Sequence, residues 1–206
     1  MAPSSHTLTM ATLSSLLHDI RDCTLCQAHL PLGPRPVVQA QASARILIAS
    51  QAPGRKVHAT GIPFNDVSGE RLRGWLGMSR EVFYDPRHIA IVPMGFCFPG
   101  TGRSGDLPPR PECAATWHQP LLAHLKHIEL TLVIGQYAQA YYLTGQYPSV
   151  TAAVSAWRNH WPQVLPLPHP SPRNQGWVRR NPWFETELLP VLRDRVSAIL
   201  ENATPT

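Results

Sequence analysis

Four cysteines and one proline-flanked histidine are the residues of this chain best suited to chemistry. Cys23 and Cys26 form a C-x2-C pair, the spacing that lets two thiolates face one ion or cluster. Cys97 and Cys113 enclose fifteen residues rich in Pro and Gly, an interval that can leave a strand, loop out and return beside the first pair. Spacing alone leaves three outcomes open: an iron-sulfur cluster, a structural zinc, or ordinary buried thiols. His169 lies in Pro168-His169-Pro170-Ser171-Pro172, a stiff turn able to hold an imidazole in one place, although a histidine is more often a surface or structural residue. Just beyond it Arg173, Arg179 and Arg180 crowd together with Asn174, Asn181, Trp177 and Trp183, mixing phosphate-pairing cations with stacking surfaces.

These residues need a scaffold. The 206-residue length suits one α/β domain, and 43% hydrophobic content with 15% charged residues is enough for a core. No apolar run approaches the ~18 residues of a membrane span. The N-terminus lacks a secretory pattern, so a soluble, cytoplasmic protein with reduced cysteines is expected. A formal charge of +5 is compatible with a polyanionic partner and equally with a mildly basic enzyme.

Leu13, Leu16, Leu17 and Ile20 recur at helical spacing, which predicts an N-terminal helix within residues 1–21, chiefly 9–21. Apolar runs at Arg45–Ser50, His88–Met94, Leu130–Gly135 and Val164–Leu167 read as buried parallel strands. Between them fit a helix capped by Ser68, one over Pro111–Leu125, and two shorter ones after Gly135 and Ser149. A last helix covers Pro182–Leu200, and residues 201–206 form a frayed tail. Strand-helix alternation predicts a three-layer α/β/α sandwich around a mainly parallel four-stranded sheet. Such sheets bind ligands at the carboxyl ends of their strands, where Gln51-Ala52-Pro53-Gly54, Gly95–Gly100 and His169–Asn174 fall.

Taken in order, these motifs resemble the cluster-binding families of the uracil-DNA glycosylase superfamily, the thermostable fourth and fifth families. The cysteine order matches theirs. Gln51-Ala52-Pro53-Gly54 is similar to their first motif, Gly61-Ile62-Pro63-Phe64 to their G-x-P-F turn, Asp66-Val67-Ser68-Gly69 to a fifth-family D-x-S-G stretch, and His169-Pro170-Ser171 to their second motif. The resemblance runs from about Asp22 to Phe184. It implies a 4Fe-4S cluster on Cys23, Cys26, Cys97 and Cys113, with zinc the less favoured occupant, and DNA containing a damaged base as partner. A monomer is expected.

The implied chemistry is hydrolysis of an N-glycosidic bond, which leaves the sugar cationic and the departing base anionic. By resemblance, His169 would stabilise the base oxygen, and Asp66 and Gln51 would orient water, although an Asp just ahead of Ser68 serves equally well as a helix cap. Phe64 would stack on a base flipped out of the duplex, beside Ala52, Pro53 and Gly54 at the sugar. Ser171, Arg173, Asn174, Trp177, Arg179 and Arg180 would contact DNA. Three positions depart from the pattern, the first being Ser50, which begins the first motif in place of Gly. Gln51 stands where the fourth family has Glu, and Pro93 where that family reads uracil with Asn, so base reading falls to backbone or to Asn65, with another deaminated base an alternative substrate. A catalytically inactive, cluster-bearing DNA-binding protein and a zinc-stabilised nucleotide hydrolase are the competing readings.

Overall fold

The computed structural model describes residues 12–103 and 105–202. Four strands, β1 (Ile46–Ala49), β2 (Ile89–Ile91), β3 (Leu130–Ile134) and β4 (Val164–Leu167), form one sheet in the order β2-β1-β3-β4. Every neighbouring pair is parallel, so the sheet is fully rather than mainly parallel. The helices are α1 (Leu13–Arg21), α2 (Arg55–Thr60), α3 (Val67–Leu76), α4 (Arg80–Phe83), α5 (Pro111–Cys113), α6 (Gln119–Leu122), α7 (Gly135–Tyr142), α8 (Val150–Ser155), α9 (Gln175–Arg180) and α10 (Leu189–Glu201).

The strands are apolar except for the partly buried Thr131 of β3, because both faces are covered. Ile46, Ile48, Ile89, Ile91 and Leu132 pack against Leu72, Trp75 and Leu76 of α3 and Leu192, Val196 and Ile199 of α10. On the opposite face Leu47, Ala90 and Val92 meet Leu16, Leu17 and Ile20 of α1 and Leu121 of α6. Ala49 and Val133 meet Ala138 of α7 and Ala153 of α8. Three layers result, as the alternation of elements predicts.

Several boundaries differ from the sequence expectation. The strand read over His88–Met94 is regular only over Ile89–Ile91, although Val92 N–H and Met94 N–H still donate to Ile48 O and Ser50 O on either side of Pro93. The expected helix from Pro111 to Leu125 ends at Leu122 and contains a π-helical turn at Ala114–His118; a second π turn at Phe184–Leu188 leads into α10. In each case a proline two residues past the wide turn, Pro120 or Pro190, removes an i→i−4 hydrogen bond that the wider turn accommodates. The cap of α3 is Asp66 rather than Ser68: Gly69 N–H donates to Asp66 Oδ1 at 2.9 Å. Of the expected N-terminal helix, α1 accounts for 13–21, and residues 1–11 lie outside the described ones. Glu201 closes α10 rather than opening a tail, and 203–206 also lie outside. Among the described residues no helix is long and apolar enough to cross a membrane.

Candidate functional site

Strand order reverses at β1, with β2 on one side and β3 on the other, and the carboxyl ends of β1 and β4 open into a cleft of about 570 Å³. Its walls carry Gln51, Phe64, Asp66, Asp106, His169 and Ser171. The loop after β1 is pinned by backbone hydrogen bonds: Met94 N–H donates to Ser50 O at 2.7 Å and Gly95 N–H to Gln51 O at 3.0 Å. The Gln51 amide donates to Leu107 O at 3.0 Å, which leaves its side-chain oxygen as an acceptor for the cleft. Ala52, Pro53 and Gly54 line the same wall.

His169 follows β4, whose last carbonyl, Leu167 O, accepts from the buried Gln139 amide at 2.9 Å. Ser171 N–H donates to His169 Nδ1 at 3.2 Å. A nitrogen that accepts carries no proton, so the neutral ring bears its hydrogen on Nε2. Burial lowers the pKa of His169, while the charges of Asp66 and Asp106 push it the other way. The net shift is downward, so the imidazole is a neutral N–H donor at pH 7.

Phe64 holds a left-handed backbone, φ +52°, which non-glycine residues adopt at a cost of about 1–3 kcal/mol. Its ring meets Phe83 edge-on at 6.1 Å between centroids and lines the cleft. Gly69 makes this turn possible, because a Cβ there would lie 1.7 Å from Phe64 O. Asp66, half-buried, thus caps α3 and faces the cleft at once.

Other expected site residues lie elsewhere. Asn65 is absent from the cleft wall; its side-chain oxygen accepts from Arg80 at 3.1 Å, because the turn that aims Phe64 inward carries its neighbour outward. Pro93 does line the cleft, but its carbonyl is already paired with His118 Nε2 at 2.9 Å. Trp177 is packed rather than presented. Its indole N–H donates to Thr151 Oγ1 at 2.8 Å, and its ring abuts Trp183 and Phe184 at 6.0 and 5.5 Å.

The loop after His169 is braced from within. Ser171 Oγ accepts from Arg173 N–H, and the Asn174 amide donates to His169 O at 2.8 Å. Arg173 is exposed on the cleft rim, and Arg179 and Arg180 are exposed in the last turn of α9. Three further contributors lie outside the sequence expectation. Arg71 donates to Ser171 O at 3.2 Å and to the Gln175 side chain, clamping the loop to α3. Gln139 ties down β4. Asp106 reaches the cleft from the interval between Cys97 and Cys113, where a Gly-Asp step in a Pro-rich loop is the one local signal.

The four cysteines gather around a second, small and mainly apolar cavity with Leu30, Phe96 and Trp117. None is in a disulfide. Phe96 N–H donates to Cys113 Sγ at 3.3 Å. Burial, and then the neighbouring sulfurs, push Cys97 up to about 11 and Cys113 up to about 12. Cys26 is raised as well, by burial and then by Glu112. Burial disfavours the thiolate at Cys26, Cys97 and Cys113, and these three line one cavity together with Cys23, a site whose thiols a cationic inorganic centre would fit. Among the described residues no three His, Cys, Asp or Glu side chains already stand in metal-binding geometry.

A family model described as the uracil DNA glycosylase superfamily matches residues 37–193, a span covering β1 to β4, the cleft loops, Cys97 and Cys113. The match takes in the whole parallel sheet and the His169 cleft at its edge, and the chain belongs to the uracil-DNA glycosylase superfamily.

Proposed function

We propose that this protein is a base-excision glycosylase that hydrolyses the N-glycosidic bond of uracil or another deaminated base in DNA. Membership of the superfamily supports a DNA glycosylase type of function. The observation that carries the finer reading is the tautomer of His169: with Nδ1 occupied by Ser171 N–H, the Nε2–H is left to serve a substrate oxygen in the cleft.

A target base is flipped out of the helix and stacked against Phe64. As the glycosidic bond breaks, His169 Nε2–H bonds to the oxygen on which the base's negative charge gathers, a contribution of about 3–4 kcal/mol for one such donor. Asp66, with Oδ1 committed to Gly69 N–H, keeps Oδ2 as an acceptor for the attacking water, and Gln51 Oε1 can orient the same water. Ala52, Pro53 and Gly54 bring small groups and backbone against the sugar. Ser171, Arg173, Asn174, Arg179 and Arg180 form the face toward DNA phosphates.

Cys23, Cys26, Cys97 and Cys113 are the residues that would hold a 4Fe-4S cluster, with zinc the lesser candidate. Its chemistry here is structural: it would tie the N-terminal cysteine pair to the loop that carries Asp106. Brown protein with absorbance near ~400 nm, lost in Cys113→Ser, is expected of thiolate-bound iron; colourless protein containing zinc argues for the other occupant.

The defining test is release of free base from oligonucleotides carrying uracil, hypoxanthine or xanthine. Loss of release in His169→Ala and Asp66→Ala is expected, and full activity in both would refute the assigned roles. One observation favours a second reading. Gln51 is tied to Leu107 O in a structural role, which suits a member that binds DNA without cleaving it. Salt-sensitive DNA binding with no release from any damaged base would select that reading.

A further inference from the structure

Hydrolysis by this route needs negative charge near the sugar, and the first motif has an amide, Gln51, where a carboxylate would serve. A carboxylate reaches the same wall from another part of the chain. Asp106 lines the cleft with Gln51, Gly54 and His169. Its Oδ2 lies over Gly54, 3.3 Å from where a Cβ would stand, so it occupies the space that glycine leaves open in the sugar-facing turn.

The loop is built to keep it there. Thr101 and Asp106 form an antiparallel bridge, and Gly102 N–H donates to Gly105 O at 2.7 Å. Leu107 N–H donates to Gly100 O at 2.9 Å, and Leu107 O accepts from Gln51. Gly105, at φ +147°, is the backbone that turns the next residue inward. Thr101 Oγ1 approaches the carboxylate at 3.4 Å, and no salt bridge among the described residues engages it. Its charge is felt across the cleft at His169.

We propose that Asp106 is a catalytic residue, the carboxylate that faces the developing cation of the sugar and receives the proton of the attacking water. The proposal rests on the glycosylase reading. In the step, the C1′–N bond breaks and its electron pair leaves with the base, whose oxygen is held by His169 Nε2–H. A lone pair of the water oxygen forms the new C1′–O bond, and one water proton passes to Asp106. The base anion is then protonated, with Asp106 returning its proton to solvent, so the sum is addition of one water across the glycosidic bond. The other hydrogen of the water stays on its oxygen and is hydrogen-bonded by Asp66 Oδ2 or Gln51 Oε1, neither of which takes the proton.

The test uses the full chain and two duplexes alike except at one nucleotide. One carries a pyrrolidine abasic analogue, cationic where the sugar becomes cationic; the other carries the neutral tetrahydrofuran analogue. Transition-state likeness predicts that wild type prefers the pyrrolidine duplex. Asp106→Asn should cut that preference about tenfold or more, the worth of one charge-assisted hydrogen bond, leave tetrahydrofuran binding unchanged, and lower the single-turnover rate of base release. Asp106→Glu should restore part of both, and thermal unfolding should not move for a rim residue. Undiminished preference in Asp106→Asn, with the loss confined to Asp66→Asn, would overturn the assignment while leaving the glycosylase reading intact. A wild type that binds neither abasic duplex better than undamaged DNA would overturn both.

Discussion

Replacing Gly69 by alanine sets two physical effects against each other. Gly69 is the third residue of α3, and helix propensity alone predicts that alanine stabilises by about 1 kcal/mol. The tertiary packing predicts the reverse. The new Cβ would stand 1.7 Å from Phe64 O, and reaching even 3.0 Å requires a retreat of about 1.3 Å by the backbone of the Phe64 turn. That retreat strains the Asp66 cap, worth about 1 kcal/mol, and the edge-on packing with Phe83, worth about 0.5–1.5 kcal/mol. It also uncovers part of the Phe64 ring, at about 25 cal/mol per Å². The expected balance is a net loss of about 1–2 kcal/mol, read by urea unfolding as a lower midpoint at unchanged slope. Because the turn carries both the stacking ring and Asp66, base release should fall far more than stability does. A Gly69→Ala protein stabilised by about 1 kcal/mol and fully active would refute the close approach and the role of the turn.

Three further outcomes are expected. The pKa of His169 is lowered by burial, so base release should be level from neutral pH down through 6.5 and decline only at more acid values; His169→Asn should reduce the rate about 10²–10³-fold, the worth of one such donor. An acid limb centred above 6.5 would contradict the neutral donor. The same depression, shared by the buried His118, bears on stability: the unfolded chain takes up protons near pH 6.5 that the folded chain resists, so stability is full above 6.5 and is lost as pH falls below it, measurable as a lower urea midpoint at pH 5.5 than at 7.5. Arg179→Ala with Arg180→Ala should weaken binding of every DNA sequence alike and flatten its salt dependence by about 0.9 for each phosphate left unpaired, whereas Arg71→Ala should loosen the His169 loop and lower the rate without changing that slope.

Much of the fold is legible along the chain because it rests on local rules. Four apolar runs bounded by turn residues announce buried parallel strands, and the loops after them carry His169 and Gln51–Gly54 wherever the helices pack. The cysteine spacing likewise announces a common site, and the four thiols do surround one cavity. Side-chain directions are what local rules miss. Asn65 and Phe64 are adjacent in sequence, yet a left-handed backbone at Phe64 sends one ring into the cleft and the neighbouring amide to Arg80. Trp177 lies amid basic residues, but its ring packs on apolar partners, Trp183 and Phe184, which an exposed stacking surface could not match.

The layered parallel sheet, the strand-end loops and the family are thus written in the amino-acid order, since periodicity, turn chemistry and motif order are properties of short stretches. Which acids share the cleft, and what holds the histidine turn, is settled at the level of the folded molecule. Asp106 comes to Gly54, and Arg71 to Ser171, across separations of 52 and 100 residues, and the Gly-Asp step that marks Asp106 says nothing of its partner. Approaches of that kind are set by packing and hydrogen-bond satisfaction of the whole molecule, and no window along the chain contains both partners.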